Sequence, residues 1–84
     1  MKYNNPIYQS NQPYRNIAIY QYIRERAGKK NYCWPSIATI ADDIGMSSST
    51  VKIGLADLKK QGFIQIENRY RDNGGKTSNL YRIL

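Results

Sequence analysis

Ser48, Ser49, Thr50, Lys52 and Ile53 sit in a segment where Val51, Leu55 and Leu58 recur at i, i+4 and i+7. On a helix this spacing gathers the three apolar side chains into one stripe and turns positions 48, 49, 52, 53 and 56 away from it. The outward set has a recognisable chemistry. Serine hydroxyls donate to or accept from several base edges, the Lys52 ammonium reaches guanine or a phosphate, and Ile53 can pack on a thymine methyl. No Arg, Asn or Gln stands there to make a bidentate base contact, so only modest base selectivity is expected. Thr50 is placed to touch a phosphate or, alternatively, to pack against the preceding turn. Ser47 is better suited to cap the helix. For Ser48 and Ser49 the competing role is to cap and solvate the helix start.

A second cluster follows, in which Arg69, Arg71 and Lys76 surround Asn73, Gly74 and Gly75. Long cations and an amide on a turn-forming tip can track phosphates or enter a narrow minor groove. The alternative is a solvated hairpin with local pairing through Asp72 and Glu67. Lys29 and Lys30 could flank a phosphate backbone. Lys59, Lys60 and Arg82 read as solvated surface, the first two also favoured at a helix C-terminus by its dipole. In total, 13 Lys and Arg against 6 Asp and Glu give a net charge of +7 and a sequence pI near 9.7. That balance implies an anionic partner, with nucleic acid first.

Bond-making chemistry lacks its parts. There is no histidine, and Cys33 is the only cysteine, which leaves no disulfide within the chain and too few soft ligands for a zinc or haem site. Eight tyrosines make a nicking nucleophile chemically available, yet no histidine metal cluster or general base accompanies one. Asp42 and Asp43 are adjacent, so on a helix they point about 100° apart, as a solvated face does. The expectation is a binding protein, not an enzyme, with no cofactor and no metal. Cys33 is expected to be buried and inert. The cysteine usage suits a reducing compartment, no apolar run approaches the roughly 18 residues that span a bilayer, and Met1 to Pro6 hold no secretory stretch. A cytoplasmic, nucleoid-associated protein is expected.

The elements that must position these residues fit one small domain, since 84 residues supply apolar side chains for a single core. Residues 1–12, rich in Asn, Gln, Tyr and Pro, read as an N-terminal arm, flexible or dimer-forming, and residues 13–84 as the domain. Ile17, Ile19, Tyr20, Ile23 and Ala27 recur at helical spacing and predict a first helix over 13–27, stopped by Gly28. Tyr32 to Trp34 predict a brief edge strand ended by Pro35, with Trp34 as a core plug between the first helix and the sheet. Ser36 then caps a second helix carrying Ile37, Ile40, Ala41 and Ile44 inward and ending at Gly45. A third helix spans 48–61 and stops at Gly62. Phe63 to Tyr70 predict a strand with Ile64 and Ile66 on one side, and Leu80 to Leu84 its return, closing a hairpin whose tip is 71–78. Tyr20 and Tyr81 read as core.

Two short helices joined through Gly45 to Ser47, with Ala41 permitting close approach, predict a helix-turn-helix. The hairpin behind it predicts the winged version: an α+β fold of three helices and a small antiparallel sheet with a C-terminal β-hairpin wing over 69–78. Cys33, Trp34, Pro35 and Ser36, then Ile40, Ala41, Gly45, Ser47, Thr50, Val51, Leu55, Leu58, Gly62 and Ile64, and finally Ser78, Asn79 and Tyr81 carry a resemblance over residues 15–84. The chain resembles the winged helix-turn-helix domains of phage and plasmid replication initiators, replisome organisers and related firmicute regulators. What the resemblance implies is a module of a mobile element or its host that binds double-stranded DNA, with the 48–61 helix in the major groove. It would act in transcription regulation or as the origin-binding part of an initiator, with replication proteins among its partners. Initiators usually continue into a second domain, which these 84 residues are not expected to hold unless they are a fragment of a longer chain. The competing expectation is an interaction module in which the arm and first helix build a homodimer or grip a replisome component.

Overall fold

Pro13, with φ −58°, sets the entry to α1 (Tyr14–Ala27), and its carbonyl accepts from the amide of Asn16 at 3.0 Å. The computed structural model describes residues 7, 12–68 and 78–84. Ile19, Tyr20, Ile23 and Ala27 of α1 are buried, as the helical spacing predicts, with Ile17 packed against the core edge. A 3-10 turn, Gly28–Lys30, leads to β1 (Tyr32–Cys33).

The next two helices start in the same way. Ser36 Oγ accepts from the amide of Thr39 at 3.0 Å to cap α2 (Ile37–Ile44), and Ser47 Oγ accepts from the amide of Thr50 at 3.1 Å to cap α3 (Ser48–Lys60). Each satisfies an amide that has no intrahelical partner. Between them Gly45 adopts φ 69°, ψ 36°, a left-handed conformation that costs a side-chain-bearing residue energy, and the amides of Gly45 and Met46 both close on the Ala41 carbonyl. A turn of three residues thus reverses the chain from α2 into α3. Helix α3 ends at Lys60, with Gln61 at its C-cap, one residue before the predicted end.

The strands form an antiparallel sheet in the order β1-β3-β2, with β2 spanning Ile64–Glu67 and β3 Leu80–Ile83. Cys33 lies opposite Tyr81 and Ile66 opposite Tyr81 from the other side, while Tyr32 and Gln65 flank Arg82. Cys33, Tyr81 and Ile64 face the helices and are buried. Glu67 pairs with Leu80, so the chain joining β2 to β3 closes the predicted hairpin. Phe63 and Asn68, within the strand predicted over 63–70, are not part of β2, and residues 69–77, which hold all of the predicted tip but Ser78, lie outside the described residues.

Two expectations are corrected here. Trp34 is not a core plug: it is 47% exposed, its ring stacked on Tyr32 at 5.8 Å between centroids. The cause is strand alternation, because Cys33 takes the core side and leaves Tyr32 and Trp34 on the other face, while Pro35 is buried in turn. Arg82 is not merely solvated. Its guanidinium lies 5.4 Å from the Tyr32 ring centroid, and its Nε donates to Glu67 at 2.9 Å. Glu67 is therefore engaged across the sheet. In the segment read as an arm, Ile7 is helical and fully buried in the core cluster.

Candidate nucleic-acid interface

Helix α3 is held by α1, α2 and β2, and its burial divides it cleanly. Val51, Gly54, Leu55 and Leu58 are buried, whereas Ser48, Ser49, Lys52, Ile53, Ala56, Lys59 and Lys60 are exposed. Gly54 was not singled out from sequence, and it governs how close α3 comes to α1. A Cβ there would collide with Ile19 Cδ1 and lie 3.2 Å from Asn16 Oδ1, so only glycine allows this approach without a shift. With α1 pressed against that side, the outward face of α3 is the opposite one.

Ser48 and Ser49 open the helix beyond the Ser47 cap, in the first turn, where backbone amides point along the axis toward negative charge. Lys52 follows one turn later without an acidic partner among the described residues, and Ile53 beside it is 53% exposed. A β-branched apolar side chain held half in water on a helix otherwise well packed is available for contact with a partner. Thr50 sits differently. It is half-buried, and its hydroxyl is 2.8 Å from that of Ser47, so the hydroxyl belongs to the cap network. Arg69, Arg71, Asn73 and Lys76 of the predicted wing lie outside the described residues.

Electrostatics favours the same face. Asp57, the one acid of α3, is drawn to α1: Arg15 donates to its Oδ2 at 3.1 Å and Asn16 at 3.4 Å. Asn16 is itself fully buried and also donates to Gln12 at 3.1 Å. Gln12 in turn donates to Gln61 at the end of α3. The exposed side of α3 is thus left with Lys52, Lys59 and Lys60 and no carboxylate. Asp43 on α2 accepts from the Tyr22 hydroxyl at 2.6 Å and stands 3.8 Å from Arg26, while Asp42 is exposed. Partial burial, then the Asp43 hydrogen bond, raise the Tyr22 phenol above its ordinary value. Sequence periodicity located the outward face. It could not locate the Arg15, Asn16 and Asp57 contacts, which join residues some forty positions apart.

Among the described residues no group of three or more His, Cys, Asp or Glu could hold a metal ion, and no helix is long and apolar enough to cross a membrane. Cys33 is buried, its Sγ 3.8 Å from the Ile23 carbonyl, and burial raises its thiol pKa.

A helix, a glycine turn and a second helix with one exposed polar and cationic face, backed by a three-stranded antiparallel sheet, define a winged helix-turn-helix, a DNA-binding fold. Residues 15–64 match the model of a family described as "Helix-turn-helix domain", and the chain belongs to that family. It is similar to Protein YmfN of Escherichia coli (strain K12), 34% identical over 59 residues, which covers 70% of this chain and 13% of that protein. The chain thus spans a small part of that relative's length. In fold it resembles a solved structure titled "Possible transcriptional regulator from Methanosarcina mazei Go1", with a TM-score of 0.69 at 16% identity, over 88% of this chain and 57% of that one.

Proposed function

We propose that this domain binds duplex DNA with a sequence preference, inserting the N-terminal half of α3 into the major groove while the 69–78 hairpin meets the backbone or minor groove. The observation that carries this reading is the division of α3, with Val51, Leu55 and Leu58 buried and Ser48, Ser49, Lys52 and Ile53 exposed on a carboxylate-free face. In this reading Lys52 contacts phosphate or guanine, the two serines contact base edges, Ile53 meets a thymine methyl, and Thr50 supports the cap close to the backbone. Arg69, Arg71, Asn73 and Lys76 supply the wing contacts.

The domain acts by binding, as a transcription regulator or as the origin-binding module of a replication initiator, in a mobile element or its host. The likeness in fold to the protein titled "Possible transcriptional regulator" supports the first role. A single module buries roughly 600 to 1,000 Å² on DNA, so tight operator binding calls for paired or repeated copies. The test is fluorescence anisotropy on the protein's own upstream DNA and on a randomised duplex pool across a salt series. At least about tenfold tighter binding to the upstream DNA is expected. Equal weak binding with one steep salt slope would reduce the interaction to phosphates, and no binding at low salt would reject the proposal.

A further inference from the structure

At the edge of the sheet away from β2, the end of α1 and strand β1 enclose a cleft of about 450 Å³. Arg26, Lys29, Lys30, Tyr32, Cys33 and Trp34 line it, and no acid does. Lys29 and Lys30 project from the Gly28–Lys30 turn and have no acidic partner among the described residues. That turn is fixed to the sheet, because the Asn31 amide closes it on Gly28 and the Asn31 carbonyl accepts from Ile83 at 2.8 Å. Arg26 is only partly neutralised, 3.8 Å from Asp43. Three cations converging on one concavity repel one another unless an anion occupies it.

The remaining wall is aromatic. Tyr32 and Trp34 stack with 27° between their planes, Arg82 lies over Tyr32, and Trp34 keeps 47% of its surface exposed. A cationic floor beside an exposed indole suits an occupant that is both anionic and planar. The volume matches one small ligand. We propose that this cleft binds a nucleoside polyphosphate, with its phosphates on Lys29, Lys30 and Arg26 and its base against the Trp34 indole. A single strand of nucleic acid carries one phosphate per nucleotide and calls for cations strung along a path. Here three share one cavity, which matches the two to four charges of a compact polyphosphate. No residue of α3 lines the cleft, so the site is distinct from the α3 face of the DNA reading.

Trp34 is the only tryptophan, so its fluorescence, excited where tyrosine does not absorb, reports on this wall alone. Titration of the full chain with magnesium-free ATP is expected to give a saturable change with Kd at or below about 1 mM. The exposed pair Lys29→Ala and Lys30→Ala together should weaken binding by at least about tenfold, as loss of charge-assisted contacts does, with the circular dichroism spectrum unchanged. Lys52→Ala should leave it within about twofold, since that residue lies outside the cleft. Inorganic tripolyphosphate should compete at least about fivefold less well than ATP, the difference belonging to base stacking. No saturable change, equal competition by tripolyphosphate, or equal weakening by Lys52→Ala would each overturn the proposal. A short single-stranded oligodeoxynucleotide that displaces ATP at lower concentration than ATP's own Kd would overturn it in favour of nucleic acid. DNA anisotropy keeps the two sites distinguishable: Lys52→Ala should weaken duplex binding while its ATP titration stays within about twofold of the unaltered chain.

Discussion

Ile53 gives the sharpest test of the DNA reading, because its role depends on one methyl group. Full burial of an Ile side chain contributes about 1.5 to 3 kcal/mol, and Ile53 is 53% exposed, so docking against a base can recover about half, roughly 0.8 to 1.5 kcal/mol. Ile53→Ala should therefore weaken binding to the preferred duplex by roughly 4- to 12-fold. Replacing the contacted thymine by uracil removes only the C5 methyl and should cost about 0.8 kcal/mol, near fourfold. In anisotropy titrations the two changes should not add. Ile53→Ala on the uracil duplex should bind nearly as well as Ile53→Ala on the thymine duplex, a double-mutant cycle with a coupling of about 0.5 kcal/mol or more. Folding is not the confounder, since a half-exposed side chain leaves no cavity in the core. Additive losses at every thymine of the site, or wild-type affinity for Ile53→Ala, would refute placement of Ile53 against a base.

Lys52→Ala should weaken all duplexes alike and lower the log-log salt slope by about 0.9 if Lys52 meets a phosphate, whereas a guanine contact would show as lost selectivity at one position. Ser47→Ala removes the α3 cap and should cost about 1 kcal/mol, lowering Tm by about 4 to 8 °C in thermal denaturation. Gly54→Val should destabilise by about 1 to 3 kcal/mol through overpacking against Ile19 and Asn16, and Gly54→Ala by less because its helix propensity offsets part of the clash. Burial raises the Cys33 thiol above its ordinary 9.0, so the unfolded chain ionises first. The contribution of Cys33 to stability is then fully present below about pH 9 and falls as pH rises through its native pKa, and Cys33→Ala should flatten that part of a urea-midpoint profile.

What could be read from the sequence was what is local. The Ser36 and Ser47 caps, the Gly45 stop and the Val51, Leu55, Leu58 stripe each need only three to seven residues of context, and each is found where the pattern places it. Trp34 shows why the rest escaped. In a strand of two residues, a shift of one position decides which face a side chain takes, and composition favoured burying the largest aromatic. The core took Cys33 and Pro35 instead. Ile7 escaped for a different reason: a lone apolar residue in a polar stretch has no periodicity, and only the finished core shows where it fits.

The outward face of α3 depends on contacts that are not on that face. Gly54 lets α1 approach, and Asp57, one turn of helix further on, is gripped by Arg15 and Asn16 of the same neighbour. These two contacts set the distance and the rotation of α3 against α1. They also turn the helix's only carboxylate away from the side where Lys52 and Ile53 are exposed. Were Asp57 released, a negative charge would be free within about one helical turn of Ile53, close enough to repel a phosphate at this range. The pairing with Arg15 lies partly in water and adds little to stability by itself. Its greater effect is on the potential of the face that DNA would meet, which makes the interface a property of how α1 and α3 pack together and not of the recognition helix alone.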